Sequence, residues 1–77
     1  MSLEENDAIA RLLDPEASAF RQKAALKWIE EYLEESYILN LAMPNAVLRA
    51  LEKFSKRSKA DKSLKLRANK LINKYER

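Results

Sequence analysis

The sequence predicts an all-α fold, a compact bundle of four helices with a fifth short turn over residues 38–43. The chain of 77 residues contains no glycine and only two prolines, whereas the strong helix formers alanine, leucine, lysine and glutamate are abundant. Apolar residues also recur at spacings of three and four along most of the chain. A chain of this length forms one domain, residues 1–77, around a single core.

The first helix is predicted over residues 3–13. Ser2 and Glu5 have the spacing of a capping box, in which the side chain of each residue accepts a hydrogen bond from the backbone amide of the other. The residue before a proline is pushed out of the helical region, so Asp14 and Pro15 end this helix. Its narrow apolar face consists of Leu3, Ile9, Leu12 and Leu13.

The second and longest helix is predicted over residues 15–36, with Asp14 as its N-cap and Pro15 at its first position. Its apolar residues cover an arc of about 200°. So wide an arc indicates a central helix that contacts two others. The arc comprises Ala17, Ala24, Ala25, Leu26, Trp28, Ile29, Tyr32 and Leu33, with Phe20 at one side. Trp28 and Tyr32 are interpreted as aromatic residues of the core or its edge.

The segment after the second helix, residues 37–43, is apolar, and we expect it to cover one end of the core. A third helix then runs from Pro44 or Asn45 to about Arg57. Its predicted inner stripe is Val47, Ala50, Leu51 and Phe54. Its outer face carries Arg49, Lys53, Lys56 and Arg57.

The last helix is predicted over residues 58–77 and begins with a second capping box, formed by Ser58 and Asp61. Its buried stripe follows a four-three-four spacing: Leu64, Ala68, Leu71 and Tyr75. Leu66 lies about 200° from Leu64 on this helix. It is therefore expected on the outer face, among lysines.

Composition argues against catalysis and metal binding. The chain has no cysteine and no histidine, so thiolates and imidazoles are missing as metal ligands, nucleophiles or bases. Glu30, Glu31, Glu34 and Glu35 are close in sequence, but they lie on the polar face of the second helix beside Lys27. No enzyme activity, cofactor or metal is expected. The acidic start of the chain and the lack of a long apolar run predict an intracellular, soluble protein.

Charge divides the chain at Met43 and Pro44. Residues 1–43 carry four basic and nine acidic side chains, a net charge of −5, and residues 44–77 carry eleven basic and three acidic ones, a net charge of +8. Surface ion pairs within the bundle contribute little each. The basic half is therefore interpreted either as a solvated surface or as one that faces an acidic partner.

The basic half also resembles a known family. Val47, Leu51 and Lys53, then a basic joint, then Ala68, Leu71, Ile72 and Tyr75 follow the pattern of the TFIIS N-terminal domain, also called the LW domain. Tyr75 stands where that family usually has tryptophan. The resemblance covers about residues 20–77. It implies a nuclear helical bundle that binds short disordered segments of transcription-elongation proteins.

Two functions remain open from the residues. The first is a protein interaction module for acidic and hydrophobic disordered peptide segments, in which Leu66 is an apolar anchor within a ring of cations. The predicted partner-binding residues are Lys53, Lys56, Arg57, Lys59, Lys62, Leu66 and Lys70. The alternative is a basic helical domain that binds nucleic acid without enzymatic activity. In either case we expect a monomer that does not bind membranes.

Overall fold

The computed structural model describes residues 5–57 and 59–75, and all regular structure in these ranges is helical. The helices are α1 (Glu5–Leu13), α2 (Ala19–Ile38), α3 (Asn45–Ser55) and α4 (Lys62–Tyr75). The predicted all-α bundle of four helices is confirmed. Helix α1 packs beside α2 and α3, and α4 packs beside the same two helices. As predicted, α2 therefore contacts two others, here α1 and α4.

The boundary between α1 and α2 differs from the prediction. Helix α2 begins at Ala19 instead of Pro15, and its N-cap is Ser18, whose hydroxyl accepts a hydrogen bond from the Arg21 amide. Asp14 instead accepts from the amide of Glu16 at 2.9 Å, which stabilises a tight turn through Pro15. Asp14 is thus a turn residue, because its carboxylate bonds to a nearer amide. The predicted cap at Ser2 lies outside the described residues.

A Schellman motif ends α2 two residues later than predicted. The Asn40 amide donates to the Tyr37 carbonyl at 3.1 Å, and the Leu41 amide donates to the Ser36 carbonyl at 2.8 Å. Asn40 has a φ of 56°, in the left-handed region that this motif requires. A separate fifth helical turn over residues 38–43 does not form. Residues 39 and 40 complete the end of α2, and residues 41–44 are a non-helical connection.

The apolar connection does not cover the core as expected. Met43 packs against the core. In contrast, Tyr37, Ile38, Leu39 and Leu41 are exposed. Ile38 follows the buried Leu33 by five residues, which places it about 140° away around the helix. Since α2 continues to Ile38, this side chain is carried to the solvent side of the bundle.

The start of α4 also differs from the prediction. The described residues before it, 59–61, are not helical, and the helix begins at Lys62. Asp61 is the residue that caps it, since its Oδ1 accepts from the amides of Ser63 at 2.9 Å and Leu64 at 3.4 Å. Ser58, the predicted cap, lies outside the described residues.

The predicted inner stripes of α3 and α4 are confirmed. All eight of their residues are buried: Val47, Ala50, Leu51, Phe54, Leu64, Ala68, Leu71 and Tyr75. From α2 the core receives Ala25, Leu26, Ile29 and Leu33. Ala8 and Leu48 are also buried, although neither was predicted. In contrast, Ala24 and Phe20 were predicted on the apolar arc of α2 and at its side, but both are exposed, Phe20 to 81%.

Candidate partner-binding surface

The structure places five of the seven predicted partner-binding residues in two depressions. The first, which we call the joint cleft, lies where α3 passes into α4 and has a volume of about 410 Å³; its lining is Pro15, Gln22, Lys56, Arg57, Lys59 and Ala60. The second, the α4 pocket, has a volume of about 230 Å³ and is lined by Lys62, Lys65, Leu66 and Asn69. Lys53 and Lys70 are exposed but line neither depression.

Helix ends bring the cations of the joint cleft together. The Lys56 amide donates to the Glu52 carbonyl at 3.3 Å, and the Arg57 amide donates to the Phe54 carbonyl at 3.1 Å, so both residues are held directly after the last turn of α3. Positive charge is favourable there because the partial negative charge of the helix dipole lies at that end. Lys59 follows after the joint and is exposed. Three cations therefore border one cleft.

Arg57 has a structural contact besides its place in the cleft. Its guanidinium donates a hydrogen bond to the backbone carbonyl of Leu13, the last residue of α1. Carbonyls at the end of a helix have no partner within the helix, so this bond satisfies one of them. Arg57 is half-buried as a result. Arg57 therefore stabilises the fold through this hydrogen bond and also lines the joint cleft.

Sequence reasoning missed three residues that line the joint cleft: Pro15, Gln22 and Ala60. Gln22 is 8% exposed, which is unusual for a side chain that carries an amide. It lies one turn before Ala25 and Leu26 on the buried face of α2. A polar residue within that apolar face is the signal in the sequence that could have identified it.

Leu66 lies on the outer face of α4, as predicted. Its side chain is 62% exposed, and Lys62 and Lys70 lie one turn before and after it on the same helix. The aliphatic part of the half-buried Lys65 helps to form the pocket beside it. Leu66 is therefore an exposed apolar side chain with lysines on both sides.

Two charged groups near these cations are already engaged. Arg67 on α4 pairs with Glu30 on α2, with Nη2 and Oε2 separated by 3.3 Å. Asp61 accepts hydrogen bonds from the Ser63 hydroxyl and from the backbone amides of Leu64 and Ser63, and these bonds lower the pKa of its carboxyl below the ordinary value of 3.8. Asp61 is therefore ionised at neutral pH, with its charge directed at the start of α4.

The aromatic pair of α2 lies at the edge of the core, as predicted. The rings of Trp28 and Tyr32 are 4.9 Å apart, and both side chains are half-buried against the core. The Tyr32 hydroxyl donates to Glu5 on α1 at 3.2 Å. Burial, that hydrogen bond and the charge of Glu5 raise the pKa of Tyr32 above 10.0. Glu31 and Glu35 border the pair, so its surroundings are acidic and unsuited to nucleic-acid phosphates.

Within residues 5–57 and 59–75, no three acidic side chains converge in a way that could hold a metal ion. None of the helices described here is long and apolar enough to cross a membrane. The chain matches no protein-family model, no curated protein and no solved structure. Its resemblance to the TFIIS N-terminal domain therefore stays a prediction.

Proposed function

We propose that this domain is a non-enzymatic interaction module that binds short disordered protein segments carrying acidic residues and one aliphatic or aromatic side chain. The observation that supports it is the exposure of Leu66 between Lys62 and Lys70, on a helix whose opposite face is buried. An apolar side chain among cations favours a partner that is apolar and acidic at once. The lysines accelerate encounter, and the apolar contact slows dissociation.

The joint cleft supplies a second contact for the same segment. Lys59 and Ala60 lie just before α4, and Leu66 lies in the second turn of that helix, which rises only about 1.5 Å per residue. An extended peptide advances about 3.3 Å per residue, so a few residues span this distance. Carboxylates of the segment would pair with Lys56 and Lys59.

The resemblance to the TFIIS N-terminal domain narrows the proposal to partners from the transcription-elongation machinery, and hence to the nucleus. A pull-down from nuclear extract, with bound proteins identified by mass spectrometry, tests this narrower proposal. Enrichment of elongation factors supports it. Recovery of nucleic acid alone would favour the alternative function, nucleic-acid binding through the basic faces that carry Arg49, Lys53, Lys56, Arg57, Lys62 and Lys70.

Peptide binding itself is tested with three fluorescent peptides of equal length. The first carries several aspartates around one phenylalanine, the second replaces that phenylalanine by serine, and the third replaces the aspartates by asparagine. Anisotropy titration should show the tightest binding for the first peptide. We expect Leu66→Ala to weaken it about tenfold, equivalent to about 1.4 kcal/mol.

The matched control is Phe20→Ala, which removes an exposed apolar side chain that lines neither the joint cleft nor the α4 pocket. This variant should bind the first peptide with unchanged affinity. Both variants should melt like the parent protein by circular dichroism, because both side chains are exposed. Unchanged affinity in Leu66→Ala would remove Leu66 from the site.

Titrating duplex DNA and single-stranded RNA at two salt concentrations separates the alternative function from the proposed one. Binding that is weak, independent of sequence and steeply dependent on salt is the general consequence of positive charge. Nucleic-acid binding that is tighter than peptide binding and survives the higher salt concentration would instead favour the alternative.

A further inference from the structure

The aromatic pair of α2 borders a small depression that the proposed peptide-binding function does not use. The rings of Trp28 and Tyr32 are 4.9 Å apart and tilted by 31° to one another. The depression has a volume of about 140 Å³, and its lining is Trp28, Glu31, Tyr32 and Glu35. Both aromatic side chains are only half-buried, so both remain partly open to solvent. The depression therefore offers aromatic surface to a ligand.

The four lining residues are neighbours on one face of α2. Each of the two carboxylates follows one of the rings by three positions, and the two rings, like the two carboxylates, are four positions apart. Side chains at both spacings lie beside one another on the surface of a helix. A pair of carboxylates therefore lies directly beside a pair of aromatic rings.

Two kinds of contact hold the aromatic rings in place. The Tyr32 hydroxyl donates a hydrogen bond to the carboxylate of Glu5 on α1 at 3.2 Å. The side chains of Trp28 and Tyr32 also pack against the hydrophobic core. The rings are thus fixed before a ligand arrives, and this reduces the entropy that is lost when the ligand binds.

The two carboxylates beside the rings are not paired with a cation. Within the part of the chain that the structure describes, the one salt bridge joins Arg67 to Glu30. Among the same residues, Lys27 lies one helical turn before Glu31 but forms no salt bridge with it. Two like charges four positions apart on a helix repel each other. A cation placed beside Glu31 and Glu35 would relieve this repulsion.

We propose that this depression binds an arginine side chain of a partner protein segment. A guanidinium is attracted to the negative face of an aromatic ring, most strongly to that of tryptophan. It is also planar, so it stacks on a ring and donates paired hydrogen bonds to a carboxylate at its edge. The rings and the carboxylates of this depression are adjacent, and one guanidinium therefore reaches both.

Lysine and methylated lysine fit the depression less well than arginine. A lysine ammonium is compact and strongly hydrated, and it has no planar group to stack on a ring. A trimethylated ammonium has no N–H group to donate to Glu31 or Glu35, and its recognition uses a cage of aromatic side chains. Here two rings line the depression, and both belong to one helix.

The fluorescence of Trp28 reports binding at this site, because Trp28 is the only tryptophan of the chain. Three peptides of equal length and without aromatic residues serve as probes: one contains several arginines, the second has lysine at these positions, and the third has citrulline, the neutral isostere of arginine. The arginine peptide should change the emission of Trp28 with a Kd on the order of 1 mM or below. We expect at least about threefold weaker binding of the lysine peptide and no response to the citrulline peptide.

General charge attraction does not explain binding of the arginine peptide, because the whole chain has a net charge of +3 and repels a cation. Emission of Trp28 that the arginine peptide leaves unchanged overturns the proposal. Equal affinity for the lysine peptide or the citrulline peptide overturns it as well.

The double variant Glu31→Gln/Glu35→Gln tests the carboxylates, and Glu34→Gln is the matched control. Glu34 is an exposed carboxylate of the same helix that does not line the depression. The double variant should bind the arginine peptide about fivefold more weakly, and the control should bind it like the parent protein. All three positions are exposed, so both variants should retain the parent's circular dichroism spectrum. Equal affinities of the double variant and the control overturn the proposal.

Arginine binding and the proposed binding of acidic segments can fail separately. The double variant Glu31→Gln/Glu35→Gln should bind the acidic peptide with the parent's affinity, because neither carboxylate lines the joint cleft or the α4 pocket. Leu66→Ala should in turn leave the affinity for the arginine peptide unchanged. Loss of arginine binding in Leu66→Ala would place the arginine peptide at another surface and overturn the proposal.

Discussion

Arg57 and Leu13 are 44 positions apart in sequence, and the guanidinium of Arg57 donates a hydrogen bond to the backbone carbonyl of Leu13. This bond joins the joint between α3 and α4 to the end of α1. Arg57 was predicted only as a partner contact, and this bond gives it a structural role as well. Any loss of peptide binding in an Arg57 variant must therefore be separated from a loss of stability.

Arg57→Ala should lower the free energy of unfolding by about 1–2 kcal/mol, because the half-buried Leu13 carbonyl loses a charged donor. Urea denaturation measures the change. Lys53→Ala is the matched control, since Lys53 is an exposed cation in the last turn of α3, four positions before Arg57. It should change stability by no more than about 0.5 kcal/mol. Equal effects of the two substitutions would contradict a structural role for Arg57.

Tyr32→Phe should lower the free energy of unfolding by about 1 kcal/mol, because it removes the hydrogen bond to Glu5 and keeps the ring beside Trp28. The raised pKa of Tyr32 adds a dependence on pH. Above pH 10.0 the unfolded chain loses the phenolic proton before the folded protein does, so the stability of the parent falls. Tyr32→Phe should lose less stability over that range. Thermal melts at neutral and alkaline pH make the comparison, and parallel curves would argue against the contact.

Asp61→Ala should lower the Tm by several degrees, because the substitution leaves the amides of Ser63 and Leu64 without their cap. The pKa of the Asp61 carboxyl is lower in the folded protein than the ordinary value of 3.8. Its stabilisation is therefore complete above pH 3.8 and is lost as the pH falls through the folded pKa. Melts between neutral and acidic pH should show the parent and the variant converging. A constant difference would indicate that the carboxylate does not cap α4.

Phe54→Ala should lower the free energy of unfolding by about 3–5 kcal/mol, because Phe54 is fully buried at the centre of the core. Phe20→Ala, at a site that is 81% exposed, serves as the reference for losing the same side chain. That substitution should change stability by no more than about 0.5 kcal/mol. Chemical denaturation of both variants tests the packing of the bundle, and comparable losses would contradict it.

Lys62→Glu and Lys70→Glu should slow the association of the acidic peptide and reduce its dependence on salt, because they flank Leu66. The control is Lys23→Glu, which changes the charge by the same amount at an exposed position of α2. Stopped-flow anisotropy at two ionic strengths gives the rates. Dissociation should change less than association, since charges around a contact act mainly on the rate of encounter. Identical association rates in the three variants would show that the peptide is attracted by the net charge of the protein and not by the lysines beside Leu66.

The inner stripes of α3 and α4 could be predicted from the sequence because each follows helical spacing without interruption. Helix starts were harder to place. Asp14 was predicted as the cap of α2 by residue type, whereas Ser18 makes that hydrogen bond; Asp61, predicted as the capping-box partner of Ser58, itself accepts from the first amides of α4. Several residues near a helix start have side chains that can cap it. Local geometry selects one of them, and residue spacing does not contain that geometry.

The candidate surface was predicted in part. Periodicity placed Leu66 outside and among lysines, which is where it lies. The joint cleft also includes Pro15 and Gln22, and these residues precede Lys56 by more than thirty positions. Their meeting depends on how α1 and α2 are placed relative to the joint between α3 and α4. A helical wheel describes one helix at a time and does not contain that information.

The sequence alone determined the all-α class, the buried stripes and the basic outer face, because helical periodicity and charge are local properties. Tertiary structure decided which surfaces remain open. The apolar segment after α2 had the composition of a core covering, yet Met43 packs against the core whereas Ile38 and Leu41 are exposed. Burial depends on the direction in which the chain leaves a helix and on the helices already packed there, and hydrophobicity specifies neither.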